Sequence, residues 1–247
     1  MTQTLFLAGA AGAIGRRLTP LLVEEGWRVV GTTRSAEKVA LLRHLGAEPC
    51  IVDVFNADAL HRAVAEAQPN VIIHQLTDLP PGLGTAQMEE ATHRNARIRD
   101  QGTRNLVAAA VTSGTRRLVA QSIAFAYAGD HRPHDEQDPL AVDAEGRAGI
   151  SARGVASLER QVLEAPLQGL VLRYGRLYGP GTGFDVAAGP SSVHVDAAAK
   201  AAALAITHGE PGLYNVAEDD GTITSEKAKC QFGWSADWRN HRSLTAE

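Results

Sequence analysis

Short apolar runs alternate with longer segments of helical periodicity over most of the chain. The runs fall at residues 5–7, 27–33, 48–54, 71–74, 117–122 and 169–174. Between them, apolar side chains recur at three- and four-residue intervals, as Leu18, Leu21 and Leu22 do, which indicates amphipathic helices. Apolar runs without clean alternation are typical of strands buried on both faces. The pattern therefore predicts an α/β fold with a parallel, doubly wound sheet.

The helical segments differ in length, and the composition changes after residue 174. One long helix is predicted over about 86–113, after a loop at 79–84, and a shorter one near 154–164. A Gly- and Pro-rich stretch then leads to a helix at 196–208, a strand at 212–216 and a last helix at 224–232. We therefore expect a dinucleotide-type domain over 1–174 and a small C-terminal substrate lobe over 175–247, packed as one unit.

The first apolar run leads into three glycines, Gly9, Gly12 and Gly15, at a GxxGxxG spacing. Glycines allow a phosphate to approach the backbone, and the first turn of the following helix offers free N–H groups. Ala13 and Ile14 open that helix, beside Gly15. Such a pattern alone is weak evidence, because glycines often only make turns. Its strand–turn–helix context favours a Rossmann-type dinucleotide site.

The end of the second run carries Thr33, Arg34 and Ser35, with no acidic residue in reach. An acidic residue at this point binds the ribose 2′-OH of NAD, whereas an arginine pairs with the 2′-phosphate of NADP. Arg34, helped by Thr33, therefore favours NADP(H) over NAD(H). The alternative is that Arg34 is a solvated charge at a helix start.

Ligands of such sheets lie beyond the carboxyl ends of the strands. Asp53 and Val54 end the third run, where a carboxylate can accept a hydrogen bond from adenine, although an ordinary turn aspartate fits nearly as well. Gln75 and Leu76 follow the fourth run and are expected beside the ribose and pyrophosphate. Ser122 ends the fifth run, where the nicotinamide would lie.

Composition narrows the function classes. The formal net charge of -4 gives no broad attraction for nucleic acid or anionic lipid. The two cysteines, Cys50 and Cys230, stand far apart without metal-ligand spacing. No apolar run approaches the roughly 20 residues of a membrane span. We expect no nucleic-acid partner, no membrane insertion and a cytoplasmic location.

With these landmarks the chain resembles the extended short-chain dehydrogenase/reductase superfamily, the NAD(P)-dependent epimerase/dehydratase group. The resemblance covers most of the chain. It is carried by the glycines, by VIIHQL at 71–76, QGTRNLVAAA at 101–110, LRYGRLYGPG at 172–181, VHVDAAAKAAALAI at 193–206 and GLYNVAED at 212–219. It implies a dinucleotide cofactor, a small-molecule substrate and, through the helices at 86–113 and 150–165, a possible homodimer.

The resemblance fails at the residues that carry out proton transfer in the family, a Tyr-x-x-x-Lys pair with a nearby hydroxyl. No Tyr-x-x-x-Lys occurs in the sequence; alignment on Glu159 places Ser151 at the tyrosine position and Val155 at the lysine position. Arg99 stands where the family often has asparagine. Ser122 is an offset match to the family's hydroxyl.

Another acid is then needed if a proton is transferred, because a general acid must have a pKa near neutrality. We expect Ser122 and Tyr127 as catalytic residues, with Tyr174 as second candidate for the acid and as a cofactor contact. Tyr127 also fits a packing role, and Ser122 a contact to the nicotinamide. No metal site is expected, because Pro133 disfavours a helix that would align His131 with His134.

The sequence therefore predicts an atypical NAD(P)-dependent oxidoreductase or epimerase-like enzyme acting on a small carbonyl or hydroxyl substrate. The alternative is a non-catalytic NADP(H)-binding sensor or partner-binding protein, which the missing Tyr and Lys favour. A sugar-nucleotide epimerase with tightly held NAD is disfavoured by Arg34 and by the short C-terminal lobe. His194 and Asp196 are expected to brace that lobe, and Arg94, Arg97 and Arg99 to form a solvated helix face or a wall for an anionic substrate.

Overall fold

The computed structural model describes residues 2–80 and 87–240. The strands are β1 (Thr4–Ala8), β2 (Arg28–Thr33), β3 (Glu48–Ile51), β4 (Val71–His74), β5 (Arg117–Ile123), β6 (Gln168–Tyr174), β7 (Arg176–Tyr178), β8 (Ser192–His194) and β9 (Gly212–Val216). The α-helices are α1 (Ala13–Glu24), α2 (Val39–His44), α3 (Ala57–Ala67), α4 (Met88–Arg97), α5 (Thr103–Thr112), α6 (Gly146–Leu163), α7 (Val195–Leu204) and α8 (Glu226–Phe232).

Seven strands form one parallel sheet in the order β3-β2-β1-β4-β5-β6-β9. From β1 the chain first builds outward through β2 and β3, and then returns to place β4 on the other side of β1. Helices leaving β1 and β4 therefore diverge to opposite sides. This leaves a crevice at the carboxyl ends of these two strands, where doubly wound sheets bind ligands. The predicted Rossmann-type fold is confirmed.

Both faces of the sheet are buried, because successive strand residues point to opposite sides. Leu5 and Leu7 of β1 pack in a core cluster with residues of α1 and α7, whereas Phe6 and Ala8 pack in the cluster beneath α3, α5 and α6. All five residues of β1 are buried. This burial explains why the sequence shows apolar runs rather than alternation at the central strands.

Several boundaries differ from the sequence prediction. β3 ends at Ile51 rather than Val54, so Asp53 and Val54 lie in the turn that follows it. Asn56 caps α3 by accepting the N–H of Ala59 at 3.0 Å, as expected. The helix predicted near 154–164 begins at Gly146. Part of the loop predicted at 79–84, and the first residue of the helix predicted at 86–113, lie outside the described residues.

The helix predicted over 86–113 is not uniformly α-helical. α4 continues into a π-helical segment, Ile98–Gly102, which leads directly into α5. A π turn contains one more residue than an α turn, so it changes the directions of the side chains around it. The predicted helical stretch is therefore present, with a π-helical turn over these five residues that the sequence did not indicate.

The C-terminal part of the chain joins the main sheet. β9 pairs with β6 as the edge strand, and α7 packs on α1. The alanines of α7 are buried, which lets the two helices approach closely. β7 and β8 form a separate two-stranded parallel sheet. Within residues 2–80 and 87–240, the structure contains no helix long and apolar enough to cross a membrane.

A substitution at Gly9 measures how strongly the packing of the glycine turn against β4 depends on the missing side chain. Its φ is +94°, and a Cβ there would lie 2.6 Å from the carbonyl oxygen of Gln75. Gly26 has a similar φ of +87°, but a Cβ there would meet no atom within 4 Å. We expect Gly26→Ala to lower the free energy of unfolding by about 1–2 kcal/mol, the usual cost of this backbone region. Gly9→Ala should lower it by more, because β4 must also move.

Urea unfolding of both variants measures the difference. Equal losses of stability would show that Gln75 accommodates a side chain at residue 9 without cost.

Candidate functional site

The glycine turn between β1 and α1 presents backbone N–H groups to the crevice. Gly12 is the N-cap of α1 and no side chain caps that helix end. The N–H groups of the first turn are therefore available at the positive end of the helix dipole. The turn itself is closed by a hydrogen bond from the N–H of Gly12 to the carbonyl of Gly9 at 3.0 Å. This arrangement suits a phosphate group.

Each end of the turn requires glycine for a different reason. Gly9 abuts the backbone of Gln75 at the end of β4, as described above. A Cβ on Gly15 would collide with the carbonyl oxygen of Gly9, because α1 lies directly against the turn. Gly15 therefore keeps the helix start in place, while Gly9 keeps the neighbouring strands together.

A cavity opens beside this turn at the carboxyl ends of β1, β2 and β4. Seven of the predicted cofactor residues line it: Gly9, Gly12, Thr33, Arg34, Val54, Gln75 and Leu76. The other five lie near it: Ala13, Ile14 and Gly15 are in the first turn of α1, Asp53 precedes Val54, and Tyr174 is buried at the end of β6. The carboxylate of Asp53 accepts the N–H of Phe55 at 2.9 Å.

The cavity also has lining residues that the sequence analysis missed. They include Ala11, Thr32, Lys38, Phe55, Thr77 and Ile98. Lys38 follows Arg34 by four residues, and that spacing is the one signal in the sequence that could have identified it. The aromatic ring of Phe55 lies 4.1 Å below the guanidinium of Arg97.

Two polar side chains that line this cavity, Gln75 and Arg34, are incompletely paired within the described residues. Gln75 is 4 % exposed and its amide nitrogen donates to the hydroxyl of Tyr174 at 3.3 Å. The amide oxygen of Gln75 is buried and has no hydrogen-bond partner among the described residues. Arg34 is half exposed, with one loose ion pair of 3.5 Å to Asp78. A dinucleotide fits these groups, since it carries both donors and phosphates.

The two predicted catalytic hydroxyls belong to one buried network. Ser122 donates to Glu159 at 2.9 Å, and Arg173 binds both carboxylate oxygens of Glu159 at 2.8 and 2.7 Å. Arg173 also donates to the hydroxyl of Tyr127 at 2.9 Å, and that hydroxyl donates to Asn215 at 2.6 Å. The network connects β5, α6, β6 and β9. Catalytic roles for Ser122 and Tyr127 stay predictions.

Burial opposes ionisation of the candidate tyrosines. It raises the pKa of Tyr127 to about 12, although Arg173 and Asn215 act in the opposite direction. Burial likewise raises the pKa of Tyr174, which is 1 % exposed, far above its usual range. Neither phenol has the near-neutral pKa of an efficient general acid.

The positions matching the family's Tyr-x-x-x-Lys pair have a different chemistry. Val155 is fully buried in an apolar cluster with Ile123, Ala126 and Ala152. Ser151, four residues earlier on α6, accepts a hydrogen bond from Nη1 of Arg99 at 2.9 Å. The positive charge near the tyrosine position therefore comes from the π-helical segment rather than from α6.

His131 and His134 lie together despite Pro133 between them. Nε2 of His131 and Nδ1 of His134 each lie 2.9 Å from the same carboxylate oxygen of Asp138. Nε2 of His134 contacts Arg132 at 2.7 Å, and its ring stacks on Tyr127. Hydrogen bonding and stacking account for this arrangement, and the absence of a metal stays an expectation.

The sequence interpretation of His194 and Asp196 agrees with their contacts. Nδ1 of His194 accepts the N–H of Asp196 at 3.2 Å and caps α7. The carboxylate of Asp196 lies 3.4 Å from Arg17 on α1. These residues join the C-terminal part of the chain to the first helix.

Comparison with known families decides the classification. Residues 5–193 match the model of the NAD dependent epimerase/dehydratase family. The chain belongs to that family. The matched region begins in β1 and extends through α6 to β8, so it includes the glycine turn, the crevice and the Ser122 network.

Among characterised relatives, the chain is 39% identical to a 3-diazoavenalumate denitrifying reductase of a Streptomyces species, over 87% of this chain and 76% of the relative. It is 24% identical to methionine adenosyltransferase 2 subunit beta of Rattus norvegicus over 72% of this chain. That match spans 48% of the subunit's own length.

Solved structures of epimerase/dehydratase proteins share the fold. A UDP-glucose 4-epimerase from Thermotoga maritima, solved with UDP-glucose, superposes with a TM-score of 0.75 at 18% identity, covering 94% of this chain and 93% of the epimerase. The Bordetella bronchiseptica enzyme WbmG, solved with NAD, gives 0.73 at 18% identity, covering 97% and 91%. At this identity the likeness concerns the fold alone.

Two arginine–glutamate ion pairs of the chain have the same two-fold geometry and differ chiefly in burial. Arg173 and Glu159 are both buried, whereas Arg28 and Glu48 make the same two-fold contact, at 2.8 and 2.6 Å, on the surface. We expect Glu159→Gln to lower the free energy of unfolding by about 3 kcal/mol, because it leaves Arg173 buried without a counter-charge. Glu48→Gln should cost about 1 kcal/mol or less.

Urea denaturation of the two variants at neutral pH provides the comparison. A small, equal loss in both would mean that water reaches Arg173 and that the network is not sealed.

Proposed function

We propose that the protein is an NADPH-dependent reductase of the epimerase/dehydratase family. The observation that carries the proposal is the cavity beside Gly9 and Gly12, which combines an uncapped helix end with Arg34 and Lys38 at the carboxyl end of β2. The glycine turn would bind the pyrophosphate, and the two cations the 2′-phosphate.

The choice of NADP over NAD depends on residues of this chain. Thr33, Arg34 and Ser35 follow one another at the end of β2, so the acidic residue that would bind a free ribose hydroxyl is missing there. Lys38 adds a second positive charge at the same edge of the cavity. A 2′-phosphate would also compete successfully with Asp78, which holds Arg34 only at 3.5 Å.

The apolar part of the cavity suits the adenosine. Phe55, Val54 and Leu60 provide apolar surface there, next to Thr33 and Arg34. Gln75 also lines the cavity, and its buried amide oxygen would accept a hydrogen bond from the cofactor. When bound, the reduced cofactor supplies a hydride to the substrate.

For the substrate we propose an arene that bears a diazonium group. Support comes from the relative with 39% identity, whose name describes a denitrifying reduction of a diazo compound. In the balanced reaction, an arenediazonium ion takes up one hydride with its electron pair. The carbon–nitrogen bond breaks, a carbon–hydrogen bond forms and N₂ leaves. No proton enters the reaction.

This chemistry accounts for the altered catalytic positions. Reduction of a carbonyl to an alcohol requires a proton donor, whereas hydride uptake by a diazonium ion does not. Ser151 and Val155 provide no such donor, and the pKa of Tyr127 is raised to about 12. A small carbonyl or hydroxyl substrate stays the alternative within the enzyme hypothesis, with Ser122 or Tyr127 in the catalytic role.

A non-catalytic role has one specific observation in its favour. A relative of 24% identity is named as a subunit of methionine adenosyltransferase, which suggests a protein that binds a partner. An NADP(H)-binding partner protein would retain the glycine turn and Arg34 without the Tyr-x-x-x-Lys pair. It would bind the nucleotide and turn over none of the diazonium substrates.

Cofactor preference is tested at Arg34 and Lys38. We expect wild-type protein to bind NADPH more tightly than NADH in calorimetric titrations. Arg34→Ala should weaken NADPH binding by about 10-fold, the effect of losing one charged hydrogen bond, and NADH binding by about 2-fold or less. Lys38→Ala should show the same selectivity with a smaller loss. Equal weakening of both nucleotides would contradict the 2′-phosphate assignment.

Substrate class is tested with 4-carboxybenzenediazonium and NADPH. We expect benzoate, N₂ and NADP⁺ to form in equal amounts. Benzoate is measured by liquid chromatography, N₂ by gas analysis and NADP⁺ formation by the loss of NADPH absorbance. A reaction without enzyme and one with bound NADP⁺ control for spontaneous decay of the diazonium. Reduction of simple ketones with no diazonium turnover would favour the carbonyl alternative. Tight NADPH binding without turnover of any substrate would favour the non-catalytic partner protein.

A further inference from the structure

Arg99 lies in the π-helical segment Ile98–Gly102, whereas Arg94 and Arg97 lie in α4. Arg94 forms ion pairs with Asp78 and Glu90, and Arg97 is exposed above Phe55. Arg99 instead turns toward α6, where its hydrogen bonds within the described chain run from Nη1 to the hydroxyl and carbonyl of Ser151. The three residues therefore do not form one positive wall.

The guanidinium of Arg99 keeps its charge and lacks a carboxylate partner. Burial lowers its pKa to about 10, so it remains protonated at neutral pH and cannot act as a proton donor there. No carboxylate within residues 2–80 and 87–240 lies within ion-pair distance of it. Glu159, which favours its charge from further away, is already bound by Arg173 and Ser122.

The groups that contact or lie beside Arg99 on α6 and β4 are neutral. His74 is fully buried, and burial together with Arg99 lowers its pKa to about 4, so this ring is neutral. Its Nε2 lies 3.1 Å from the hydroxyl of Thr103. A half-buried cation whose direct hydrogen-bond partner is neutral, with Glu159 acting only from further away, gains from an anionic ligand, and the planar guanidinium matches a carboxylate best.

The location connects this charge with the proposed reaction. Ile98, the residue before Arg99, lines the dinucleotide cavity. Ser151 occupies the position that the family resemblance assigns to the residue that contacts the substrate oxygen. Arg99 thus follows a residue of the cofactor cavity in the chain and contacts the residue at that family position.

We propose that Arg99 binds an oxyanion of the substrate, a carboxylate or a phenolate, and that Ser151 is the positioning residue that holds the guanidinium in place. This inference rests on the proposed function, because it assumes a small substrate beside the cofactor. Arg99 would then determine specificity for anionic substrates. Its charge would orient the substrate without giving it a proton.

The test compares benzoate with benzamide, which has the same shape and no charge. Binding of each probe to the protein saturated with NADP⁺ is measured by calorimetry. We expect wild-type protein to prefer benzoate by about 10-fold or more, the worth of one charged hydrogen-bonded pair. Arg99→Gln should remove this preference, Arg99→Lys should restore part of it, and Ser151→Ala should reduce it.

Arg104→Gln serves as the matched control, since Arg104 pairs with Asp100 on the exposed side of the same helical stretch. It should retain the full preference for benzoate. NADP⁺ binding is measured first on each folded variant, so failure of the cofactor proposal is seen separately. The inference is overturned if wild-type protein does not distinguish the two probes, or if Arg99→Gln distinguishes them as well as wild type does.

Discussion

The close approach of the glycine turn to β4 is the constraint on which the site depends. Gly9 can lie against the backbone of Gln75 only because it has no side chain, and this contact brings the ends of β1 and β4 together where the chain reverses its direction across the sheet. Gly15 then holds α1 against the same turn. The uncapped helix end, Gln75 and the two cations that follow β2, Arg34 and Lys38, consequently lie around one cavity.

Three arginines, of which only Arg34 lines this cavity among the described residues, have different surroundings, and these surroundings separate their roles. Arg173 is buried and binds both carboxylate oxygens of Glu159, so its charge stabilises the packing of α6 on the sheet. Arg34 is half exposed and only loosely paired, which leaves it free to bind a phosphate. Arg99 lies between these extremes, with a hydroxyl partner and, in the part of the chain that the structure describes, no carboxylate within ion-pair distance. Burial without a counter-charge is costly, so such a group favours a charged ligand.

The sequence predicted the sheet well because β1, β4, β5 and β6 are buried on both faces and therefore consist of apolar runs. It predicted the glycine turn because glycine has a specific steric role there. The π-helical segment at Ile98–Gly102 escaped prediction, since the apolar spacing over the whole stretch indicates a helix and does not mark a single π turn within it. The Ser122 network joins residues 14 to 88 positions apart, and only the folded chain brings them together.

The altered catalytic positions are consistent with one another. Replacement of the lysine by Val155 extends an apolar cluster behind α6, and it removes the charge that lowers a tyrosine's pKa in the family. Ser151 in turn lacks the phenol on which that charge acts. Arg99 returns a positive charge to the same region, in a form that stays protonated. Under the proposed function, a fixed cation in place of a proton donor would suit hydride transfer to an acceptor that needs no proton, with the substrate held through its anionic group.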